Sequence, residues 1–278
     1  MGKNQWTNLV RVRTMVARAW VGRQPPKIQA VIGTLVATAV LILLWICVND
    51  PGLIFFAAEL SHATGISLLI YKLIKCRTCA GLSLKSQELT ALFLGIKIYC
   101  SYTTFDIHAI LDMTTLITTL WVVYMIRVIL KSSYMEDEDS FSVQYLVVAC
   151  GLMALVVHPA SSSEALINRL ILAFGCNLET VAIMPQLRLM QNAKVVESLT
   201  AHYVFALGLA RFLSCAQWIL QVVHSRGTIL LALGYGLWPG MVLLLEIVQT
   251  SILFDFCYYY IKSVIEGHSV LRLPSDTV

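Results

Sequence analysis

Charge is what this chain has least of. Only 13% of its 278 residues are Asp, Glu, Lys or Arg, whereas a soluble domain carries roughly a quarter. No polar block is long enough to fold as a separate water-soluble domain. The chain has no Asn-x-Ser/Thr sequon, so an N-linked glycan is not expected. It has no His-Glu-x-x-His, Gly-x-Ser-x-Gly or phosphate-loop string, so an enzyme is not expected, nor a catalytic residue, metal or cofactor. Cysteine pairs are scarce too. Cys76-Arg-Thr-Cys79 has CxxC spacing but no second pair to complete a zinc site, and the other six Cys lie in or beside apolar runs, where cysteine acts as a small hydrophobe.

What the chain has is apolar length. Hydrophobic residues make up 58% of it, and a helix crosses a bilayer with ~20 of them. Residues 28–48 hold no charge at all, and further apolar runs lie at about 53–71, 86–103, 107–126, 142–159, 165–187, 198–223 and 228–261. None alternates with period two. In lipid each run therefore reads as a helix, because backbone groups there must satisfy one another. The last run is too long for one straight span, and Gly234, Gly236, Pro239 and Gly240 are expected to break it before a span near 241–262. The expected fold is all-α integral membrane with eight transmembrane helices.

Basic residues set the expected orientation. Residues 1–27 carry six Lys or Arg and no acid, and Lys72, Lys75, Arg77, Lys85, Arg127, Lys131, Arg188, Lys194 and Lys262 continue on the same side. The opposite connections hold only Arg226. Both termini are thus expected in the cytosol. The Arg-rich start also suits a transit peptide, but 28–48 is long for a signal-peptide core, which favours a signal anchor. The net charge of +4 needs no nucleic acid to explain it.

A charge at mid-bilayer costs ~2.5–3.5 kcal/mol even on lenient scales. Glu59, His62, Lys97, Arg169, Glu179, Arg211, Glu246 and Asp255 all fall inside apolar runs. They could pair off as glue between helices. As a set mixing cations, carboxylates and a histidine, they fit a water-filled polar cavity better, and Lys97, Arg169 and Arg211 suit an anionic ligand.

Several strings are specific. Cys79-Ala80-Gly81-Leu82-Ser83-Leu84-Lys85-Ser86-Gln87 resembles the loop after the first helix of KDEL receptors, the ER lumen protein-retaining receptors. Glu179-Thr180-Val181-Ala182-Ile183-Met184-Pro185-Gln186-Leu187 resembles their fifth helix, and Leu199 to Gly208 the start of their sixth. Asp255-Phe256-Cys257-Tyr258-Tyr259-Tyr260-Ile261 resembles the end of their seventh, and Leu273-Pro274 the close of their tail. The likeness is collinear from about 53 to 274.

The resemblance implies two three-helix bundles plus a linking helix, as in SWEET and PQ-loop proteins, with 28–48 as an added N-terminal helix. It divides the chain into a basic tail at 1–27, the extra helix at 28–48, a seven-helix domain at 53–265 and a C-terminal tail at 266–278. It implies a pH-dependent receptor that binds C-terminal retrieval signals of ER residents in the acidic Golgi and returns them in coated vesicles. The partners are then that peptide, vesicle coat components and the bilayer of the ER and Golgi. His62, Lys97, Arg169, Glu179, Arg211 and Trp218 are its expected ligand-binding residues, with Glu59 and Asp255 in the polar cavity. Departures from the family pattern imply altered ligand specificity. Phe55 stands where the family has an arginine, and Lys97-Ile98-Tyr99-Cys100 replaces an Arg-Tyr-x-Asp cluster. Arg169 and Leu172 replace a glutamate and a tryptophan, Ala210 and Ser214 replace two tyrosines, and Gln221 replaces an outer arginine. Glu266-Gly267-His268-Ser269 stands near the place of a lysine-rich tail. A small-molecule transporter of the two-bundle fold, or a trafficking scaffold without peptide binding, remain alternatives.

Overall fold

A computed structural model describes residues 51–101, 107–160, 165–193, 196–228, 230, 233 and 236–266. The expected helix at 28–48, the basic tail at 1–27, Gly234 and nearly all of the C-terminal tail lie outside the described residues. Within them the chain is helical and holds no β-strand.

Pro51 opens α1 (Pro51–Tyr71), in the first turn where its missing N–H breaks no helical bond. A π-helical turn, Lys72–Cys76, extends α1 until Arg77 adopts φ 49° and stops it. Then come α2 (Leu84–Ser101) and α3 (Ile107–Tyr124), the latter prolonged by a second π-helical turn, Met125–Ile129. α4 (Val143–Val156) is 14 residues long. α5 (Leu166–Val181) and α6 (Met184–Asn192) are nearly one helix. Pro185 interrupts them, since it cannot donate to the carbonyl one turn back. On α2, Ser86 donates its hydroxyl to the Ala182 carbonyl in that break, at 2.7 Å. α7 (Ser198–His224) and α8 (Trp238–Glu266) are the last two described helices.

Among the described residues, five stretches are long and apolar enough to cross a membrane: Gly52–Cys76, Ala109–Ile129, Leu166–Asn192, Ser198–His224 and Trp238–Val264. α2 is 18 residues long but carries Lys85, Glu88 and Lys97. α4 is apolar but shorter than the rest. The last helix starts at Trp238, ahead of the expected 241. Pro239 and Gly240 lie in its first turn, where proline is tolerated.

α5 is the hub, packing against α2, α4 and α8, while α7 packs on α8 and α2 on α3. Small residues let these helices approach, as they do where lipid gives no hydrophobic drive for association. A Cβ built on Gly175 of α5 would lie 2.6 Å from Ile96 Cγ2 on α2. On α1, a Cβ at Gly65 would meet Ala206 of α7 at 3.2 Å. The distribution of polarity is inverted relative to a soluble protein. Phe56, Leu60, Ile117, Leu155, Ile167 and Phe254 are exposed, whereas Lys72, Gln87, Asp139, Asn177, Gln186 and Gln249 are buried.

Candidate functional site

Helical periodicity turns one stripe of each of several helices toward a common cavity. Glu59 and His62 sit three apart on α1, and Gln87, Thr90 and Lys97 share a face of α2. Asp112, Thr115 and Thr119 do so on α3, and Tyr203, Leu207, Arg211 and Ser214 on α7. Residues three, four, seven and eleven apart recur on one side of an α-helix. α5 contributes Glu179 and α8 contributes Gln249. The cavity holds about 170 Å³ of space open to water-sized molecules.

Two ion pairs span it. Arg211 Nη2 lies 2.8 Å from Glu179 Oε1, linking α7 to α5. Lys97 Nζ lies 3.1 Å from Asp112 Oδ1, linking α2 to α3. The Lys97 side chain is 46% exposed and Asp112 17%, against 28% and 22% for Arg211 and Glu179, so the Lys97 pair is the more accessible at its cationic end. Gln87 donates to the Tyr203 hydroxyl at 3.1 Å, and Gln249 donates to the Glu179 backbone carbonyl at 3.2 Å. The hydroxyls of Thr90, Thr115 and Thr119 bond back to the carbonyls four residues earlier, which leaves their oxygens free to accept from a ligand. Just along α8, Glu246 Oε2 is buried without a hydrogen-bond partner, within electrostatic reach of Arg211 and Lys97.

Of the residues singled out from sequence, Glu59, His62, Lys97, Glu179 and Arg211 line the cavity, and Arg169, Trp218 and Asp255 do not. Arg169 lies ten residues before Glu179, about 15 Å along the helix. It donates from Nη1 to the Pro159 carbonyl at 3.2 Å, and its Nε is buried and unpartnered. Trp218 stands a turn beyond Ser214, the last α7 residue in the wall. Asp255 is exposed, because the neighbouring Leu253 and Phe256 occupy the buried face of α8. Asp112 escaped the sequence reading. The signal that could have found it is the one that selected Lys97, a charge inside an apolar run.

A second polar region sits where the α1–α2 and α6–α7 connections meet. The Gln186 side chain accepts from the Ser83 N–H and donates to the Gly81 carbonyl, both at 2.8 Å. Lys72, 1% exposed, pairs with Glu197 at 3.0 Å and donates to the Ala80 carbonyl and the Thr200 hydroxyl, each at 2.5 Å. Asp139 accepts the Ser83 hydroxyl at 2.9 and 3.0 Å and the Tyr134 hydroxyl at 2.7 Å. Burial first, then that bond to the Asp139 carboxylate, push the Tyr134 phenol above its ordinary pKa. Cys79 is buried with its Sγ 3.2 Å from both the Leu130 carbonyl and Ser133 Oγ, a structural setting. Among the described residues no three His, Cys, Asp or Glu gather as metal ligands would.

A family profile described as "ER lumen protein retaining receptor" matches residues 78–221. The chain is 34% identical over 222 residues to the ER lumen protein-retaining receptor of Drosophila melanogaster, covering 79% of this chain and 98% of that protein. It is 35% identical over 220 residues to ER lumen protein-retaining receptor 2 of Homo sapiens, covering 78% and 96%. To receptor erd-2.2 of Caenorhabditis elegans it is 32% identical over 221 residues, covering 78% and 97%.

Proposed function

The chain belongs to the family of ER lumen protein-retaining receptors, a family of receptors and not of enzymes, and from that premise we propose that it binds C-terminal peptides of ER residents in the cavity between α1, α2, α3, α5, α7 and α8. The observation that carries this reading is the Arg211–Glu179 pair facing His62 and Lys97 in one enclosed space. A terminal carboxylate needs a fixed cation, and arginine offers it a planar fork. His62 is the proposed pH sensor, because imidazole alone titrates unperturbed between about pH 5 and 8. The charged groups around it are Glu59, Lys97, Asp112, Glu179 and Arg211. A proton on His62 adds a cation facing the peptide, so capture belongs to the acidic compartment and release to the neutral one. Purified full-length protein should bind peptide more tightly at ~pH 5.5 than at ~pH 7.4. Equal affinity at the two would remove the switch.

The chain-level proposal is a retrieval cycle from Golgi to ER, with vesicle coat components as partners on the cytosolic face. The proposed architecture is eight crossings: one N-terminal helix at 28–48, then a seven-helix domain at 53–265 arranged as two three-helix bundles and a linker. Both termini then face the cytosol. Tags on each end should be digested by protease added outside sealed microsomes, and a protected N-terminal tag would sink the eight-span reading.

A further inference from the structure

The cavity's charges do not suit a strongly acidic peptide. Its wall holds three carboxylates, Glu59, Asp112 and Glu179, against two fixed cations, Lys97 and Arg211, and one histidine. Each fixed cation is already engaged, Lys97 by Asp112 at 3.1 Å and Arg211 by Glu179 at 2.8 Å. Glu246 adds an unpartnered carboxylate oxygen nearby. We propose that this site selects a zwitterionic C-terminal peptide, one whose terminal carboxylate is accompanied by a basic side chain and not by paired acidic ones. The inference rests on the peptide-receptor reading above and names the class of peptide that reading would admit.

The argument is one of exchange. A ligand with several carboxylates must pull Asp112 off Lys97 and Glu179 off Arg211, leaving those wall carboxylates beside its own negative charge. Like charges brought together at an interface disfavour the wrong partner strongly, and low dielectric sharpens the effect. A ligand carrying one carboxylate and one cation inserts into an existing pair instead. Its carboxylate takes the cation, and its ammonium or guanidinium takes the carboxylate so released, so no charge loses a partner. Asp112 matters most because it is the carboxylate in direct contact with Lys97, the more exposed fixed cation of the cavity. Protonation of His62 brings the wall to three charges of each sign. Acid therefore strengthens binding of both peptide classes without inverting their order.

The test uses purified full-length protein and three N-acetylated tetrapeptides with free C-terminal carboxylates at ~pH 5.5: Lys-Asp-Glu-Leu, Ala-Ala-Ala-Leu and Ala-Ala-Lys-Leu. Wild type should bind the last about tenfold more tightly than the first, the scale of one charge-assisted contact. Asp112→Asn, which keeps shape and frees Lys97, should erase or reverse that preference. Tighter binding of Lys-Asp-Glu-Leu by wild type overturns the inference while leaving the receptor reading intact, and so does an Asp112→Asn preference equal to wild type. No saturable binding of any of the three, in protein that elutes as a single folded species, overturns the receptor reading and this inference with it. Should Asp112→Asn not fold, the wild-type order of the three peptides decides alone.

Discussion

The polar cavity and the polar lock at the loop end use the same residue types to opposite ends. In the lock, Gln186 spends both ends of its amide on Ser83 and Gly81. Lys72 spends three donors on Ala80, Thr200 and Glu197, and Asp139 is 2% exposed with both oxygens bonded. In the cavity each fixed cation is held by a single carboxylate, with Lys97 still 46% exposed and Glu246 Oε2 unmatched nearby. A fully satisfied buried network fixes one structure. A partly satisfied one has bonding capacity in reserve, which is what a ligand site requires. Polarity in the interior is thus no guide to function by itself, and the fraction of unspent hydrogen-bonding capacity is.

That contrast can be broken most easily at the lock. Gln186→Leu strands a buried N–H at Ser83, worth ~1–3 kcal/mol when unmet, and a partly buried carbonyl at Gly81. We expect a stability loss of roughly 2–4 kcal/mol, read as a large fall in the unfolding temperature of purified protein. An unchanged midpoint would mean that the lock holds nothing. In the cavity the order should invert. Arg211→Lys keeps the charge facing Glu179 but loses the fork geometry, so peptide affinity should drop about tenfold, or ~1.4 kcal/mol, with the unfolding temperature close to wild type. A fall in stability matching that of Gln186→Leu would dissolve the distinction between the two regions. The smallest expected effect sharpens it. His62→Ala should cost only a few-fold in affinity at ~pH 7.4, where neutral imidazole dominates, and should flatten the wild-type dependence on pH. A variant that keeps the full pH response would assign the switch elsewhere.

Helix positions were legible because lipid leaves the backbone few options. Runs expected at 53–71, 86–103, 107–126, 142–159, 165–187 and 198–223 meet α1 to α7 within a few residues at most ends. The break at 182–183 was not read, although Pro185 announced it, because an apolar run hides an interruption that its neighbours repair through Ser86. The site was half legible. A charge in an apolar run reveals depth, which made Glu59, His62, Lys97, Glu179 and Arg211 candidates, and the structure brings these five to one cavity. It does not reveal which face a residue occupies. Asp255 lies on the exposed face of α8, and Arg169 lies too far along α5 to reach the cavity. The lock escaped for another reason. Lys72, Ser83, Asp139, Gln186 and Glu197 come from four separate stretches of chain, and nothing local in any of them specifies the others.

The contact between Gly175 and Ile96 has a consequence for how this sequence could have been reached. With Ile96 Cγ2 standing 2.6 Å from where a Cβ would be, and a β-branched side chain in a helix having little rotamer freedom, positions 175 and 96 form a coupled pair. Substitutions at such neighbours do not add. Gly175→Ala arising first wedges α5 off α2, the pairing on which the cavity wall depends. Ile96→Ala arising first opens a small gap and then makes the alanine at 175 a filling change. Both routes end at the same double variant, but only one passes through an intermediate without a clash, so a lineage could travel between these two states in one order and not in the other.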